Sequence, residues 1–238
     1  MTWIVWFYSP CSMKPWELLG KATLPDGTDM RLQRRDTEYA IFAAGKLLMS
    51  SRMHGSEEAL ASLACARAQQ RDDAHVLVGG LGMGFTLRAT LDVLPASARV
   101  DIVELQPDVV VWNRGPLGPL ANHPLKDQRV QVQERDVMAA IARSHRRFDA
   151  VILDVDNGPD AFTTASNAEL YGDRGIAAVR RALRPGGVLA VWSAWEDRKF
   201  EQRLRYAGFR VQVEHVRARL KKGGPHHTIF LGELPALD

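Results

Sequence analysis

A glycine-rich segment followed by a distant carboxylate predicts a nucleoside-binding site. The apolar run of residues 76–78 leads into Gly79, Gly80, Gly82 and Gly84, and Glu104 ends the next apolar run, about 20 residues later. Glycines let the backbone approach a ligand closely, and a carboxylate at the neighbouring strand end can accept hydrogen bonds from both ribose hydroxyls. The spacing therefore predicts a cofactor that carries a nucleoside.

The spacing of these glycines distinguishes between nucleoside cofactors. A dinucleotide-binding loop has the pattern G-x-G-x-x-G/A, but the third small position is filled here by Phe85. The Gly-Lys-Ser/Thr of a phosphate-binding loop is also absent from this segment. Gly80-x-Gly82-x-Gly84 before an acidic strand end is typical of proteins that bind S-adenosylmethionine, which we therefore expect as the cofactor. The alternative is a tight strand-to-helix turn that binds no ligand.

The elements that must position these residues follow from the periodicity of the chain. From residue 75 onward, apolar strands alternate with helical segments, which indicates an α/β fold with a doubly wound, mostly parallel, Rossmann-like sheet. Ligands bind beyond the carboxyl ends of the strands in such sheets. The expected strands are 75–78, 99–104, 130–134, 148–154, 188–192, 209–215 and 228–232, and the expected helices are 85–94, 107–113, 137–145, 173–183 and 196–207.

Acidic residues lie at several of these carboxyl ends. Asp136 follows the third strand, where it could accept a hydrogen bond from an adenine amino group or cap the helix that begins at Val137. The two roles are compatible. Leu105, next to Glu104, and Val137, next to Asp136, are predicted to contact the cofactor as well.

The chain before the first parallel strand has a different pattern. Turn residues at 25–28 and at Ala44-Gly45, with short alternating apolar runs between them, predict a small antiparallel β-sheet appendage over residues 13–55. Ser56 is the expected N-cap of a helix, with which the Rossmann-like domain of residues 56–238 would begin. Residues 1–12 are apolar and aromatic, and we expect them to be either a dispensable extension or a misassigned start.

Composition limits the remaining possibilities. The 238 residues are 46% hydrophobic and 25% charged, as in soluble globular proteins, and no apolar run approaches the ~20 residues of a membrane span. Cys11 and Cys65 give neither a disulfide framework nor metal-ligand spacing. We therefore expect a cytoplasmic protein that holds no metal and does not associate with membranes.

Between residue 46 and about residue 232 the sequence resembles the polyamine aminopropyltransferases, or spermidine synthases, of the class I methyltransferase superfamily. The resemblance implies a Rossmann-like domain with a small N-terminal β-sheet. It also implies S-adenosylmethionine or decarboxylated S-adenosylmethionine as the cofactor, and a small amine or polyamine-like substrate. The residues that carry it are 76–84, 103–107, Asp136, 148–154, Tyr171 and 181–189.

The resemblance places Asp154 at the position of the family's catalytic carboxylate. Transfer from a sulfonium to an amine is an in-line displacement that needs an aligned, neutral amine, and a carboxylate can orient the amine and accept its proton. The alternative role for Asp154 is to form a turn in a polar loop. Asp156 and Asn157 are predicted to hold a cationic part of the substrate, and Tyr171 either lines the same pocket or belongs to the core.

Three departures from the family bear on the reaction. Gly82 stands where the family has an Asp thought to contact the ammonium of decarboxylated S-adenosylmethionine, and Asn157 replaces the second Asp of the loop after the fourth strand. The usual Tyr-His pair is replaced around Gly55 and Ser56. These changes favour methyl transfer from intact S-adenosylmethionine to a small amine. The alternative is an aminopropyltransferase that uses decarboxylated S-adenosylmethionine and putrescine.

Two other classes of function stay open. The net charge of +3 and the basic cluster of Arg217, Arg219, Lys221 and Lys222 would suit an RNA methyltransferase, although a solvated loop explains the cluster better and no nucleic-acid partner is expected. The protein could also bind the cofactor without catalysis. We expect a homodimer formed through the strand edges of the N-terminal sheet. Trp192 and Trp195 would then line either the substrate pocket or the dimer interface.

Overall fold

The structure, a computed structural model, describes residues 14–24, 26–155, 169–219 and 224–236. Its N-terminal part is a four-stranded antiparallel sheet in the order β1-β2-β3-β4, as predicted. Ala44 and Gly45 join the last two strands with φ values of 49° and 73°, the positive φ that a tight hairpin turn requires. The strands are β1 (Glu17–Thr23), β2 (Asp29–Arg35), β3 (Glu38–Ala43) and β4 (Lys46–Ser50).

The second sheet has seven strands in the order β10-β11-β9-β8-β5-β6-β7. The five strands from β9 to β7 in this order run parallel, whereas β11 is antiparallel to both of its neighbours. The predicted mostly parallel α/β sheet is confirmed. Its strands are β5 (His75–Gly79), β6 (Arg99–Glu104), β7 (Val130–Glu134), β8 (Phe148–Leu153), β9 (Leu183–Ser193), β10 (Arg210–Arg217) and β11 (His226–Glu233).

Helices cover both faces of this sheet, because successive residues of the central strands point to opposite sides. Val76 and Val78 pack in one cluster with the first three helices, and Leu77 packs in a second cluster with the last three. None of the helices in the described ranges is long and apolar enough to span a membrane. The helices are α1 (Gly55–Ala64), α2 (Phe85–Val93), α3 (Pro107–Arg114), α4 (Val137–Ala142), α5 (Asp173–Ala182) and α6 (Arg198–Tyr206).

Several predicted boundaries were wrong, among them those of α1, α4 and β9. Helix α1 begins two residues earlier than an N-cap at Ser56 predicts, and its N-cap is His54, because the Ser56 side chain bonds elsewhere. Helix α4 ends at Ala142 rather than at residue 145. Strand β9 begins at Leu183 rather than at residue 188, since Leu183 already pairs with Phe148 and an irregularity in register accommodates the Pro-Gly-Gly segment.

Candidate active site

The glycine loop between β5 and α2 has a backbone that only glycine adopts easily. Gly80, Gly82 and Gly84 have φ values of 89°, 49° and 86°. A Cβ atom on Gly80 would overlap the carbonyl oxygen of Asp154, and one on Gly84 would lie 2.9 Å from Asn113 Oδ1. The missing side chains therefore allow the loop to lie directly against the end of β8.

Glu104 fixes this loop to the end of the adjacent strand β6. Its Oε2 accepts a hydrogen bond from the backbone N–H of Leu81 at 2.9 Å, and its Oε1 accepts one from the N–H of Gln106 at 2.8 Å. These two contacts orient the carboxylate at the end of β6. The predicted contact with ribose stays a prediction.

The other residues predicted to bind the cofactor lie around the same strand ends. Asp136 is the N-cap of α4, since its Oδ1 accepts a hydrogen bond from the N–H of Ala139 at 3.0 Å, and this confirms the capping role. Leu105 is 49% exposed, which leaves its side chain free to contact a ligand. Val137 is buried, and its Cγ2 lies 2.7 Å from where a Cβ of Gly79 would be, so it packs beneath the end of β5.

Asp154 lies directly after β8 and faces the first turn of α2. Its Oδ2 accepts a hydrogen bond from Thr86 Oγ1 at 2.5 Å, and its backbone N–H donates to the carbonyl of Gly79 at 2.9 Å. Burial raises the pKa of the carboxyl to about 6, against the opposing effect of the Thr86 hydroxyl. A half-buried carboxyl with a raised pKa beside a glycine loop is a candidate functional group.

A second acid, Glu57 in the first turn of α1, lies within electrostatic reach of Asp154. Burial, and then the charge of Asp154, raise the pKa of Glu57 to about 8, with a smaller contribution from Glu58. Ser56 Oγ donates a hydrogen bond to Glu57 Oε2 at 2.6 Å. The sequence analysis did not recognise Glu57 as a functional residue, because in sequence it is one of two acids in the first turn of a helix.

Ser56 connects this acid to a histidine on the other side of the site. The fully buried Ser56 Oγ shares a hydrogen bond with His227 Nδ1 at 2.9 Å. Burial, and then the charge of His226, lower the pKa of His227. The ring of His227 packs edge-on against Trp192 at 4.6 Å, and the buried Nε1 of Trp192 has no hydrogen-bond partner among the described residues. Because β11 is antiparallel, its first residues reach the carboxyl ends of the parallel strands.

The N-terminal sheet contributes one residue beside the glycine loop. A Cβ atom on Gly82 would lie 3.2 Å from the sulfur of Met49 at the end of β4. Position 82, where the family carries an acid, is therefore next to a thioether.

The substrate residues predicted after β8 are placed only in part. Tyr171 is 2% exposed, packs edge-on against Phe200, and donates a hydrogen bond to the carbonyl of Val155 at 3.2 Å. Its surroundings are those of a core residue that supports the segment after Asp154, and a contact with substrate stays a prediction. Asp156 and Asn157 lie outside the described residues.

Trp195 is 48% exposed. In the described part of the chain, no group of three His, Cys, Asp or Glu side chains could hold a metal ion.

The raised pKa of Glu57 predicts a pH-dependent effect of Glu57→Gln on stability. The folded protein holds the proton more tightly than the unfolded chain, so the free energy of unfolding falls as the pH rises from about 4.5 to about 8. Glutamine cannot ionise and avoids this loss. We expect the free energy of unfolding of the variant, relative to that of the wild type, to rise by at least about 1.4 kcal/mol from mildly acidic to mildly alkaline pH, which is the equivalent of one pKa unit. Urea unfolding of both proteins at a mildly acidic and a mildly alkaline pH measures this rise. An equal difference between the two proteins at both pH values would contradict the prediction.

An α/β sheet with a glycine loop and acidic strand ends defines a Rossmann-like fold. Comparison with known proteins is more specific. The family model of the spermine/spermidine synthase domain matches residues 53–206, more than half of the chain, so the protein belongs to that family.

Three curated relatives are all named polyamine aminopropyltransferases. The chain is 30% identical over 152 residues to polyamine aminopropyltransferase 1 of Streptomyces coelicolor, covering 59% of this chain and 28% of the relative. It is 33% identical over 120 residues to the polyamine aminopropyltransferase of Nitrosomonas europaea, covering 50% and 35%. It is 29% identical over 175 residues to that of Prochlorococcus marinus, covering 73% and 52%. The chain thus spans about half or less of the length of these relatives.

Solved structures share the fold. The spermidine synthase of Thermotoga maritima matches with a TM-score of 0.72 and 17% identity, covering 91% of this chain and 72% of that one. A spermidine synthase crystallised with the transition-state analogue AdoDATO matches with a TM-score of 0.71 and 16% identity, with the same coverage of both chains.

Proposed function

We propose that the protein transfers an aminopropyl group from decarboxylated S-adenosylmethionine to a small amine or polyamine acceptor. The observation that carries the proposal is the half-buried carboxyl of Asp154, which follows β8 beside the glycine loop and accepts a hydrogen bond from Thr86 at the start of α2. Both substrates of this reaction are cations, and an ionised carboxylate favours cations over neutral ligands. Membership of the family and the names of the three relatives support the same reaction.

The donor would bind across the glycine loop. Gly79, Gly80, Gly82 and Gly84 form the loop along which its adenosine and sulfonium would lie, and Glu104 would accept hydrogen bonds from the ribose hydroxyls. The exposed side chain of Leu105 would pack on the adenine ring, over a floor formed by Val137. Asp136 would accept a hydrogen bond from the adenine amino group through the oxygen that does not cap α4. The site residues fit the group, since carboxylates at two neighbouring strand ends, Glu104 and Asp136, are acceptors suited to a ribose and an adenine amino group.

Asp154 would act on the acceptor amine. Thr86 holds one carboxylate oxygen, which leaves the other to orient the amine toward the carbon attached to sulfur. The raised pKa lets Asp154 take up the proton that the ammonium form of the acceptor must lose before it can attack. Tyr171 would support this region through the carbonyl of Val155, and Asp156 and Asn157 are proposed to hold the distant ammonium of the acceptor.

Methyl transfer from intact S-adenosylmethionine is the second candidate, and one observation favours it. Gly82 offers no carboxylate to the amino group of the decarboxylated donor, and the neighbouring atom is the sulfur of Met49. An intact donor, which carries a carboxylate, would meet no like charge there. The names of the relatives favour the aminopropyl donor, so we rank methyl transfer second.

Calorimetry and product analysis with both donors test the proposal. We expect the protein to bind decarboxylated S-adenosylmethionine and to convert putrescine to an aminopropylated product that mass spectrometry identifies. A methylated product from intact S-adenosylmethionine would favour the second candidate. No product from either donor with a panel of diamines and polyamines would contradict both.

Gly82→Asp and Gly82→Asn measure the effect of the missing charge. Both variants place a branched side chain of similar size at φ 49°, a conformation that Asp and Asn tolerate better than other residues, next to Met49. Only the aspartate adds a negative charge. We expect Gly82→Asp to bind the decarboxylated donor about 10-fold more tightly than Gly82→Asn, since a charge-assisted hydrogen bond contributes roughly 1.5–3 kcal/mol. Equal affinities would show that the donor's amino group lies elsewhere.

The organisation of the chain and its partners are also proposals. We propose a two-part organisation, with the β-sheet of residues 13–55 preceding the α/β domain of residues 56–238, and a homodimer formed through the edges of the smaller sheet. Of the basic cluster, Arg217 and Arg219 are exposed, and Lys221 and Lys222 lie outside the described residues. We propose no nucleic-acid partner.

A further inference from the structure

Aminopropyl transfer releases one proton in each turnover, and the buried site must dispose of it. The acceptor ammonium first loses a proton, and its nitrogen then bonds to the carbon next to sulfur while the C–S bond breaks and its electron pair stays on sulfur. Two cationic substrates give one ammonium product and one neutral thioether, so the balance is one free proton. Methyl transfer to an ammonium acceptor has the same balance.

We propose that Glu57, Ser56 and His227 carry this proton from Asp154 to the protein surface, and we name these four residues the proton-transfer chain. The proposal rests on the proposed function for the source of the proton. Its geometry rests on two hydrogen bonds of Ser56 Oγ, one to Glu57 Oε2 at 2.6 Å and one to His227 Nδ1 at 2.9 Å.

The position of Ser56 between two titratable groups is what makes transfer feasible. A hydroxyl has one proton and can accept through its oxygen, so it can donate to only one of the two neighbours at a time. When Glu57 is ionised, Ser56 donates to it and His227 Nδ1–H donates to Ser56. When Glu57 is protonated, both bonds reverse and His227 accepts. The two arrangements differ by the shift of one proton along each bond, so passage between them moves one proton from Glu57 to the imidazole.

The acidities of the groups set the direction of each transfer. Because the pKa of Asp154 is about 6 and that of Glu57 is about 8, transfer from Asp154 to an ionised Glu57 is downhill. Burial and the charge of His226 lower the pKa of His227, so transfer from Glu57 through Ser56 to His227 is uphill and is completed by loss of the proton to solvent. The other charged group facing Glu57 is Glu58, which is hydrogen-bonded to His54 at 2.8 Å. His227 is half-buried, so its imidazole is accessible to solvent.

Kinetics with decarboxylated S-adenosylmethionine and putrescine test the chain through Ser56→Ala and His227→Gln. Glutamine preserves a hydrogen bond to Ser56 but cannot carry a proton. We expect each variant to lose about 10-fold in kcat near neutral pH, with KM for the amine within about 3-fold, and to lose less in alkali, where more of the amine is already neutral. Added imidazole should restore at least part of the kcat of His227→Gln. Unchanged kcat, or a loss that neither alkali nor imidazole relieves, would overturn the proposal.

Matched controls are available outside the site. Ser62→Ala removes an exposed hydroxyl on the same helix that bonds only to the carbonyl of Glu58 among described residues, and His215→Gln changes an exposed histidine of β10. Both should keep the kcat and pH profile of the wild type.

Infrared titration of the free protein separates this proposal from the proposed function. We expect a protonated carboxyl band at neutral pH that Glu57→Gln removes and that Ser56→Ala and His227→Gln shift. This result without turnover of either donor would refute the proposed function and support the chain. Persistence of the band in Glu57→Gln would overturn the chain even in an active enzyme.

Discussion

Asp154→Asn should lower kcat for the transfer reaction at least ~100-fold, the range in which removal of a general base acts. Asparagine keeps the shape of the side chain, and its carbonyl oxygen can still accept the hydrogen bond from Thr86. It can neither accept a proton from the acceptor amine nor offset the amine's charge. The dissociation constant of the donor, measured by calorimetry, should stay within about 3-fold, because the groups that would hold adenosine lie on β5, β6 and α4.

The surface variant Asp73→Asn is the matched control for this experiment. Asp73 is an exposed carboxylate that precedes β5 at the opposite end of the strand and pairs with Arg184. The kcat of the Asp73→Asn variant should equal that of the wild type. If Asp154→Asn retained kcat within about 3-fold, the carboxylate would have a structural role only, and the protein would have to deprotonate its acceptor elsewhere.

Gly80→Ala should strongly destabilise the protein, although it adds only one carbon atom. Gly80 has a φ of 89°, and the new Cβ would overlap the backbone carbonyl of Asp154, which cannot move without displacing the end of β8. Strain at such a φ costs about 1–3 kcal/mol, and the overlap adds to it, so we expect a loss of at least about 3 kcal/mol in the free energy of unfolding. The affinity of Gly80→Ala for the alkyl donor should fall as well.

Gly27→Ala separates the two causes of this loss. Gly27 lies in the turn between β1 and β2 with a nearly identical φ of 84°, and a Cβ there meets none of the described residues within 4 Å. Its substitution should therefore measure the backbone strain alone, about 1 kcal/mol. Urea unfolding of both variants gives the difference due to the contact with Asp154. Equal losses would show that the glycine loop can move away from β8.

The donor side of the site could be predicted from sequence because it follows the chain in order. A glycine loop after one strand, an acid at the end of the next and Asp136 after the third lie together in any parallel sheet with this strand order. The sequence also predicted that Asp154 ends the fourth parallel strand along the chain. In each case local pattern and strand polarity are sufficient to position the residue.

The residues of the proton-transfer chain other than Asp154 could not be predicted in the same way. Glu57 and Ser56 take their places only because α1 packs on one face of the sheet, and His227 does so only because β11 is antiparallel. The pattern of Ser56 followed by two acids is typical of a helix start, and the predicted N-cap role of Ser56 was wrong since its hydroxyl pairs with a residue far along the chain. Tyr171, expected either near substrate or in the core, packs beside Phe200 in the core, and its contact with substrate stays a prediction.

The antiparallel strand β11 has a consequence for how the pH dependence of the reaction can change. One continuous segment, residues 79–137, would recognise the alkyl donor, whereas Glu57 precedes that segment and Asp154 and His227 follow it. Substitutions in α1 or at the start of β11 can therefore alter how the proton is removed while the adenosine site keeps its shape. Within such a protein, the working pH would evolve more readily than the choice of donor.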